Sequence, residues 1–386
     1  MENICTLRKF VVPETVFGVG ARKMVSQYVR NYAGNRVLIV TDHGVMAAGW
    51  VGEVEQLLTE SKIESVVYAQ VTPNPRDEEV EQGAKLFKEE KCDVIVAVGG
   101  GSPMDCAKGI AVVAANGEPI GHYEGIDQIE HAGPPLICIP TTAGTAADLS
   151  QFAIITALSE RRKFAIISKI TVPDVALIDP ETNLSMDPML TACTGVDALV
   201  HAVEAFVSSA SSALTDTHAL TAMELVSHNL PQVLSNPGDI EARAHVALGC
   251  MHAGMAFSNA SLGAVHAMAH ALGGMLDLPH GECNAILLRH VVSFNSRAVP
   301  ERFDIVGDRM GLDLRGLNSD DKLKRLLGHI DSFTHGVGIK DSLGIKGVRS
   351  SDLPGLAYNA MMDPCMITNP RRPNQRDIEV VYEEAL

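Results

Sequence analysis

Asp197 and His201 stand four residues apart, and His266 and His270 repeat that spacing. On a helix, each such pair shares one face. His280 follows in Pro279-His280-Gly281, just past the end of the second pair's segment. One oxygen donor and several imidazoles suit a divalent iron, zinc or manganese ion, and these segments hold no thiolate set of the structural-zinc kind. One His pair on an apolar helix is ordinarily a packed core pair. Two such faces and a further His, set among Ala, Gly, Val and Met, place five titratable groups in apolar surroundings, a costly arrangement without a charge partner. Spacing leaves open which of the five bind an ion. His218, His228, His245 and His252 lack a partner at ligand spacing and read as surface or core residues.

A second group of residues suits a phosphate. Gly99-Gly100-Gly101-Ser102-Pro103 follows a β-branched run and opens a helical pattern. Glycines there let backbone N–H groups reach an anion at the positive end of a helix. Ser102 reads as the N-cap and Pro103 as the first helical residue. Asp105, two residues on, reads as a helper of that cap. Thr141, Thr142 and Thr145 give a second turn after another apolar strand. Asp42 ends the first clear strand, where a carboxylate can accept from an adenosine ribose and would repel a 2′-phosphate, favouring NAD over NADP.

These residues need elements to hold them. Apolar runs at 36–42, 65–71, 93–98, 135–140 and 175–179 read as strands, with helical patterns at 50–61, 76–91 and 103–115 between them. Such alternation implies parallel strands buried on both faces of a doubly wound α/β sheet. A hairpin is expected within 152–168. After about residue 182 the strand signal stops, and stretches 187–210, 213–230, 239–258, 260–276 and 283–297 carry helical periodicity. The expected division is therefore an α/β dinucleotide-binding domain over 1–182 and a helical metal-binding domain over 183–386, with the site in a cleft between them.

The chain has 386 residues and a formal charge of −16, with 46% hydrophobic and 20% charged residues. That excludes global disorder and argues against nucleic-acid binding, which needs a surplus of Lys and Arg. No uninterrupted apolar run approaches membrane-span length, and the first residues lack the pattern of a secretory leader, so neither a membrane nor a secretory route is expected. Eight cysteines, at 5, 92, 106, 138, 193, 250, 283 and 365, form no CxxC pair and read as reduced thiols of a cytoplasmic protein.

Taken together, Gly99–Asp105, Pro140-Thr-Thr-Ala-Gly-Thr145, Pro173–Pro180, Thr194–Glu204, Ala256–His266, Ala269–Gly273, Leu278–Ala285, Thr368–Arg371 and Ile378–Leu386 resemble the iron-dependent (group III) alcohol dehydrogenases nearly end to end. The resemblance implies a Rossmann-like domain followed by an all-helical one, as in the dehydroquinate synthase-like superfamily. It implies metal ligands at Asp197, His201, His266 and His280, with His270 beside the nicotinamide and able to pass on the alcohol proton. It implies cofactor contacts at Asp42, Asn74, Gly100, Gly101, Ser102, Thr141, Thr142, Thr145, Ser150 and Lys163. One departure is Ala146-Ala-Asp148, where many relatives carry Glu; another is Ser150, where Thr is usual. The implied activity interconverts a short-chain primary alcohol or diol and its aldehyde, using NAD and Fe2+, with Zn2+ possible, in a homodimer or larger homo-oligomer. The alternatives are a non-redox lyase of the dehydroquinate synthase type, which would need Lys and Arg around 197–285 for a phosphorylated acid, and a zinc-dependent enzyme like glycerol dehydrogenase.

Overall fold

The structure is a computed structural model and describes residues 7–386; Cys5 and the first four residues lie outside the described part. It divides into two compact units, Val11–Met186 and a second made of residues 7–10 with Asp187–Leu386.

In the first unit the strands are β1 (Glu14–Phe17), β2 (Arg36–Val40), β3 (Glu64–Tyr68), β4 (Val94–Gly99), β5 (Gly125–Ile126), β6 (Leu136–Pro140), β7 (Phe152–Ala157), β8 (Arg162–Ile167) and β9 (Val175–Ile178). Six form a sheet in the order β1-β9-β6-β4-β2-β3, every pairing parallel. Successive strand side chains point to opposite faces, so each apolar strand feeds two cores. Leu38, Val40, Ile95, Ala97, Leu136 and Cys138 pack under helices Asp77–Glu89 and Gly101–Asn116. Val37, Ile39, Val94, Val96, Ile137 and Ile139 pack on the other face, under Val25–Asn31 and Trp50–Glu60. The sheet is therefore doubly wound. The expected hairpin is β7–β8, antiparallel, with β5 added parallel to β8.

Strand β1, which pairs with β9, and helix Val25–Asn31 were not anticipated from sequence. A four-residue strand with exposed ends shows too little alternation to be read.

In the second unit, five helices run Pro188–Val207, Ala213–Ser235, Ile240–Ala260, Ala264–Leu276 and His280–Asn295, followed by Pro300–Arg309, Ser319–Gly336, Leu353–Met362 and Gln375–Ala385. No strand occurs in it among the described residues. Pro188–Val207 is long and apolar enough to cross a membrane by length and composition, which corrects the expectation that no such segment exists; 94% of its most apolar 18-residue window is buried inside the protein, as in the core helix of a globular unit. The sequence hid it because Asp197, His201 and Glu204 interrupt the apolar run. His280 also differs from expectation. It is the first residue of a helix, directly after Pro279 at the N-cap, rather than part of the loop expected from its place just past the preceding helix.

The first unit contains a buried ionic knot. Lys108 Nζ, fully enclosed, donates to Ser150 O at 3.0 Å and Phe152 O at 2.6 Å, with Asp105 Oδ1 3.7 Å away. Asp105 Oδ2 accepts from Ile154 N at 3.2 Å, so Asp105 ties β7 to its helix and does not cap that helix. Asp148 is buried nearby, and burial, only partly opposed by a backbone N–H and Lys108, pushes its pKa up to about 6. Its ordinary value is 3.8, so the unfolded chain ionises first and the fold loses stability between about pH 4 and pH 6. Asp148→Asn should therefore stabilise the protein by up to about 3 kcal/mol above pH 6 and by little below pH 4, as read from denaturation midpoints across that range. A gain independent of pH would contradict this origin.

Candidate functional site

All six strands of the main sheet run parallel, so their carboxyl ends share one edge. The chain passes from β2 outward to β3, then crosses back to β4 and on to β6. Strand order thus reverses between β2 and β4, the place where open α/β sheets bind ligands. Asp42 follows β2, Gly99–Ser102 end β4, and Thr141–Thr145 follow β6.

The turn after β4 is tight for a reason visible in its neighbours. A Cβ on Gly99 would lie 2.6 Å from Pro103 Cγ, and one on Gly101 would lie 3.0 Å from Thr145 Cγ2. A Cβ on Gly100 would press Thr142 at 3.2 Å. Gly100 and Gly101 therefore seat the turn directly against Thr142 and Thr145, while Thr141 N donates to Gly99 O at 2.9 Å. The N-cap is Gly100, and Ser102 lies inside the first turn without capping it, contrary to the sequence reading. The backbone N–H groups at this helix start suit an anion.

Asp42 is half-buried and caps helix His43–Ala47, its Oδ1 accepting from Val45 N at 2.9 Å. Lys163 Nζ donates to Asn74 Oδ1 at 2.7 Å, joining two residues expected among the cofactor contacts. Ser150 differs: it is buried, and its hydroxyl oxygen accepts from Lys108 Nζ at 3.2 Å. In that position it ties the loop before β7 to Lys108.

The second unit holds the His cluster. Asp197 and His201 project from one face of Pro188–Val207, His266 and His270 from Ala264–Leu276, and His280 from the start of its helix. Three imidazole nitrogens surround one carboxylate oxygen. From Asp197 Oδ1, the Nε2 atoms of His266, His280 and His201 stand at 3.6, 3.8 and 4.0 Å. Asp197, His201 and His266 are buried, and His280 is partly open. A Cβ on Gly281 would lie 2.8 Å from Cys193 O, so glycine lets the His280 helix approach the Asp197 helix.

Electrostatics follow from that packing. Burial pushes the Asp197 pKa up, but His201, the His266 hydrogen bond and His280 reverse it and hold the carboxyl well below the usual range. Burial lowers the His266 pKa, but the Asp197 and Glu204 carboxylates outweigh it and push it up to about 9. The pocket favours a positive charge at its centre. Three nitrogens and one carboxylate oxygen fit a divalent ion such as Fe2+ or Zn2+ in donor chemistry.

His270 points elsewhere. Its Nδ1 meets Asp363 Oδ2 at 2.8 Å, and its ring stacks on His280 with centroids 5.2 Å apart. His270, Asp363 and Cys365 form a second group of potential ligand atoms.

Three residues of the site were not singled out from sequence. Glu204 Oε2 accepts from His266 Nδ1 at 2.6 Å, while its Oε1 accepts from Val265 N at 2.7 Å. One carboxylate thus caps the helix and fixes the ring that faces Asp197. Its spacing, one turn past His201 on the same face, was a usable signal. Asn284, one turn past His280, reaches into the cluster and offered the same signal. Asp363 is distant in sequence from His270, and nothing local announces it.

A doubly wound sheet with a glycine turn at its switch point is joined in one chain to a helical unit that carries an Asp–His cluster. Residues 13–180 match the family model described as iron-containing alcohol dehydrogenase, and residues 191–386 match the C-terminal model of the Fe-containing alcohol dehydrogenase family. The chain belongs to the iron-containing alcohol dehydrogenase family. It is 41% identical over 380 residues to alcohol dehydrogenase 4 of Schizosaccharomyces pombe, covering 98% of this chain and 89% of that protein. It is 36% identical to the NAD-dependent methanol dehydrogenase of Bacillus methanolicus, covering 98% of this chain and 99% of that one. A solved 1,3-propanediol oxidoreductase superposes with a TM-score of 0.96 at 37% identity, covering 99% of this chain and all of that one. This protein is an alcohol or diol oxidoreductase.

Glu204 generates a direct test. Glu204→Ala strands the Val265 N–H and unpairs the His266 ring, and should cost about 3–5 kcal/mol in chemical denaturation. Glu204→Gln, which can still accept from Val265 N, should lose less. An alanine variant as stable as wild type would contradict the packing described.

Proposed function

We propose that this enzyme interconverts a short-chain primary alcohol or diol and its aldehyde, using NAD and an Fe2+ ion held by Asp197, His201, His266 and His280. The observation that carries this reading is the convergence of three imidazoles on the buried Asp197 oxygen. Bound in these two places, the ion supplies Lewis-acid polarisation of the alcohol or carbonyl oxygen, and the dinucleotide supplies a hydride acceptor or donor. The remaining work belongs to the chain's own side chains.

Gly100, Gly101 and Ser102 offer backbone N–H groups to the pyrophosphate, with Thr141, Thr142 and Thr145 beside them. Asn74 and Lys163, already paired, hold the neighbouring part of the nucleotide. Asp42 keeps Oδ2 for the adenosine ribose while Oδ1 caps its helix. His270 gives its Nδ1 proton to the Asp363 hydrogen bond, which leaves Nε2 as a proton acceptor for the substrate hydroxyl. Zn2+ binds imidazole and carboxylate donors at least as tightly as Fe2+, so it can occupy the same site.

Two measurements test the assignment. His266→Ala and His280→Ala should lose bound metal and activity together, whereas His270→Ala should keep its metal and lose rate. Elemental analysis finding the His270 variant metal-free and the His280 variant loaded would move the ion to the second group and overturn the ligand set. For the cofactor, wild type should prefer NADH, and Asp42→Gly should relax that preference towards NADPH in steady-state kinetics. Equal use of both by the wild type would contradict the role given to Asp42.

A further inference from the structure

Asn284 is fully buried, and its carboxamide lies within the His cluster. Its Nδ2 donates to Asp197 Oδ1 at 2.6 Å and stands 3.2 and 3.1 Å from His266 Nε2 and His280 Nε2. The positive end of the amide is thus aimed at the same atoms a cation would use. Its negative end, Oδ1, is buried and has no hydrogen-bond partner among the described residues. A buried amide oxygen without a partner costs about 1–3 kcal/mol. An Asn side chain has nearly the same shape after a half-turn about its terminal bond, so exchanging the two ends needs no repacking.

From this geometry we propose that Asn284 is a fifth donor of the site: with a divalent cation bound, the carboxamide turns and presents Oδ1 to the ion. The inference rests on the ligand set proposed above and adds to it. The half-turn removes two positive amide hydrogens from a cation's neighbourhood and turns the oxygen to it. What it gives up is the hydrogen bond to Asp197, and Nδ2 takes the partnerless place, so the bond to the ion must outweigh both. It also bears on which ion the site prefers. A fifth, hard oxygen donor suits Fe2+ or Co2+, whereas zinc sites built by proteins are most often four-coordinate. The placement of Asn284 follows from sequence: on the helix that His280 opens, residue 284 lies one turn further along the same face.

The test uses full-length protein stripped with a chelator and titrated with Co2+, whose visible d–d bands intensify as coordination number falls. Asn284→Leu should lose at least about tenfold in Co2+ affinity and should show stronger bands than wild type. Asn284→Asp, which restores an oxygen in the same place, should return the wild-type band intensity. If Asn284→Leu does not fold, Asn284→Ala takes its place in the same comparison. A Leu or Ala variant with the wild-type spectrum would overturn the proposal, because an amide that only donates to Asp197 leaves the donor count unchanged. Asp197→Ala separates the two readings. If it binds Co2+ like wild type, the four-ligand set itself fails. If it loses Co2+ while the Asn284 variants keep the wild-type spectrum, only the fifth donor falls.

Discussion

A carboxylate buried to 1% exposure, with three imidazole nitrogens turned towards one of its oxygens, is the constraint that organises the helical unit. Charge in that position is tolerable only with a compensating charge and a full set of hydrogen bonds. Each requirement fixes a piece of backbone. Glu204 orients His266 and at the same time caps the helix that carries it. Gly263 stands where a Cβ would lie 2.9 Å from Glu204 Oε1, so the carboxylate can reach that helix start only over a glycine. Asn369 Oδ1 accepts from Ala264 N and from Asn295 Nδ2, which ties the same helix start to two further segments. The electrostatic demand and the fold are one arrangement.

The sheet unit meets a different demand by different means. Its strands are apolar on both faces because helices cover both, and the residues expected to meet a cofactor follow their carboxyl ends. There the side chains are small. Glycine at 100 and 101 lets Thr142 and Thr145 approach the turn closely, leaving backbone N–H groups as the main donors. A surface built this way suits a phosphate by shape and dipole, through backbone N–H groups rather than Lys or Arg side chains. Lys108 shows where one buried cation goes instead: it is spent on loop carbonyls, holding Ser150 and Phe152 beneath the edge.

Much of this was legible in the residues. Apolar strands alternating with helical patterns fixed the sheet, because period and length are local properties. The Asp197/His201 and His266/His270 spacings marked the faces that meet. What stayed hidden depended on contacts between distant segments or on single residues at element ends. Strand β1 is too short to announce itself, and its place beside β9 is a tertiary fact. His280 starts a helix, and one turn on Asn284 lies within the cluster. Ser102 has the right side chain for a cap, but Gly100 takes the position because the turn must pass close to Thr142 and Thr145. Asp363 reaches His270 across 93 residues of chain. The bond from Lys108 to Ser150 joins residues 42 apart, which no local pattern announces.

In the proposed site, Asp197, His201, His266 and His280 hold one divalent ion. Anomalous diffraction at the iron edge, from crystals of the protein reconstituted anaerobically with Fe2+, tests it most directly. The account predicts a single strong peak within bonding distance of those four side chains, with His270 outside the coordination shell. A peak instead among His270, Asp363 and Cys365, or a shell that lacks Asp197, would contradict it.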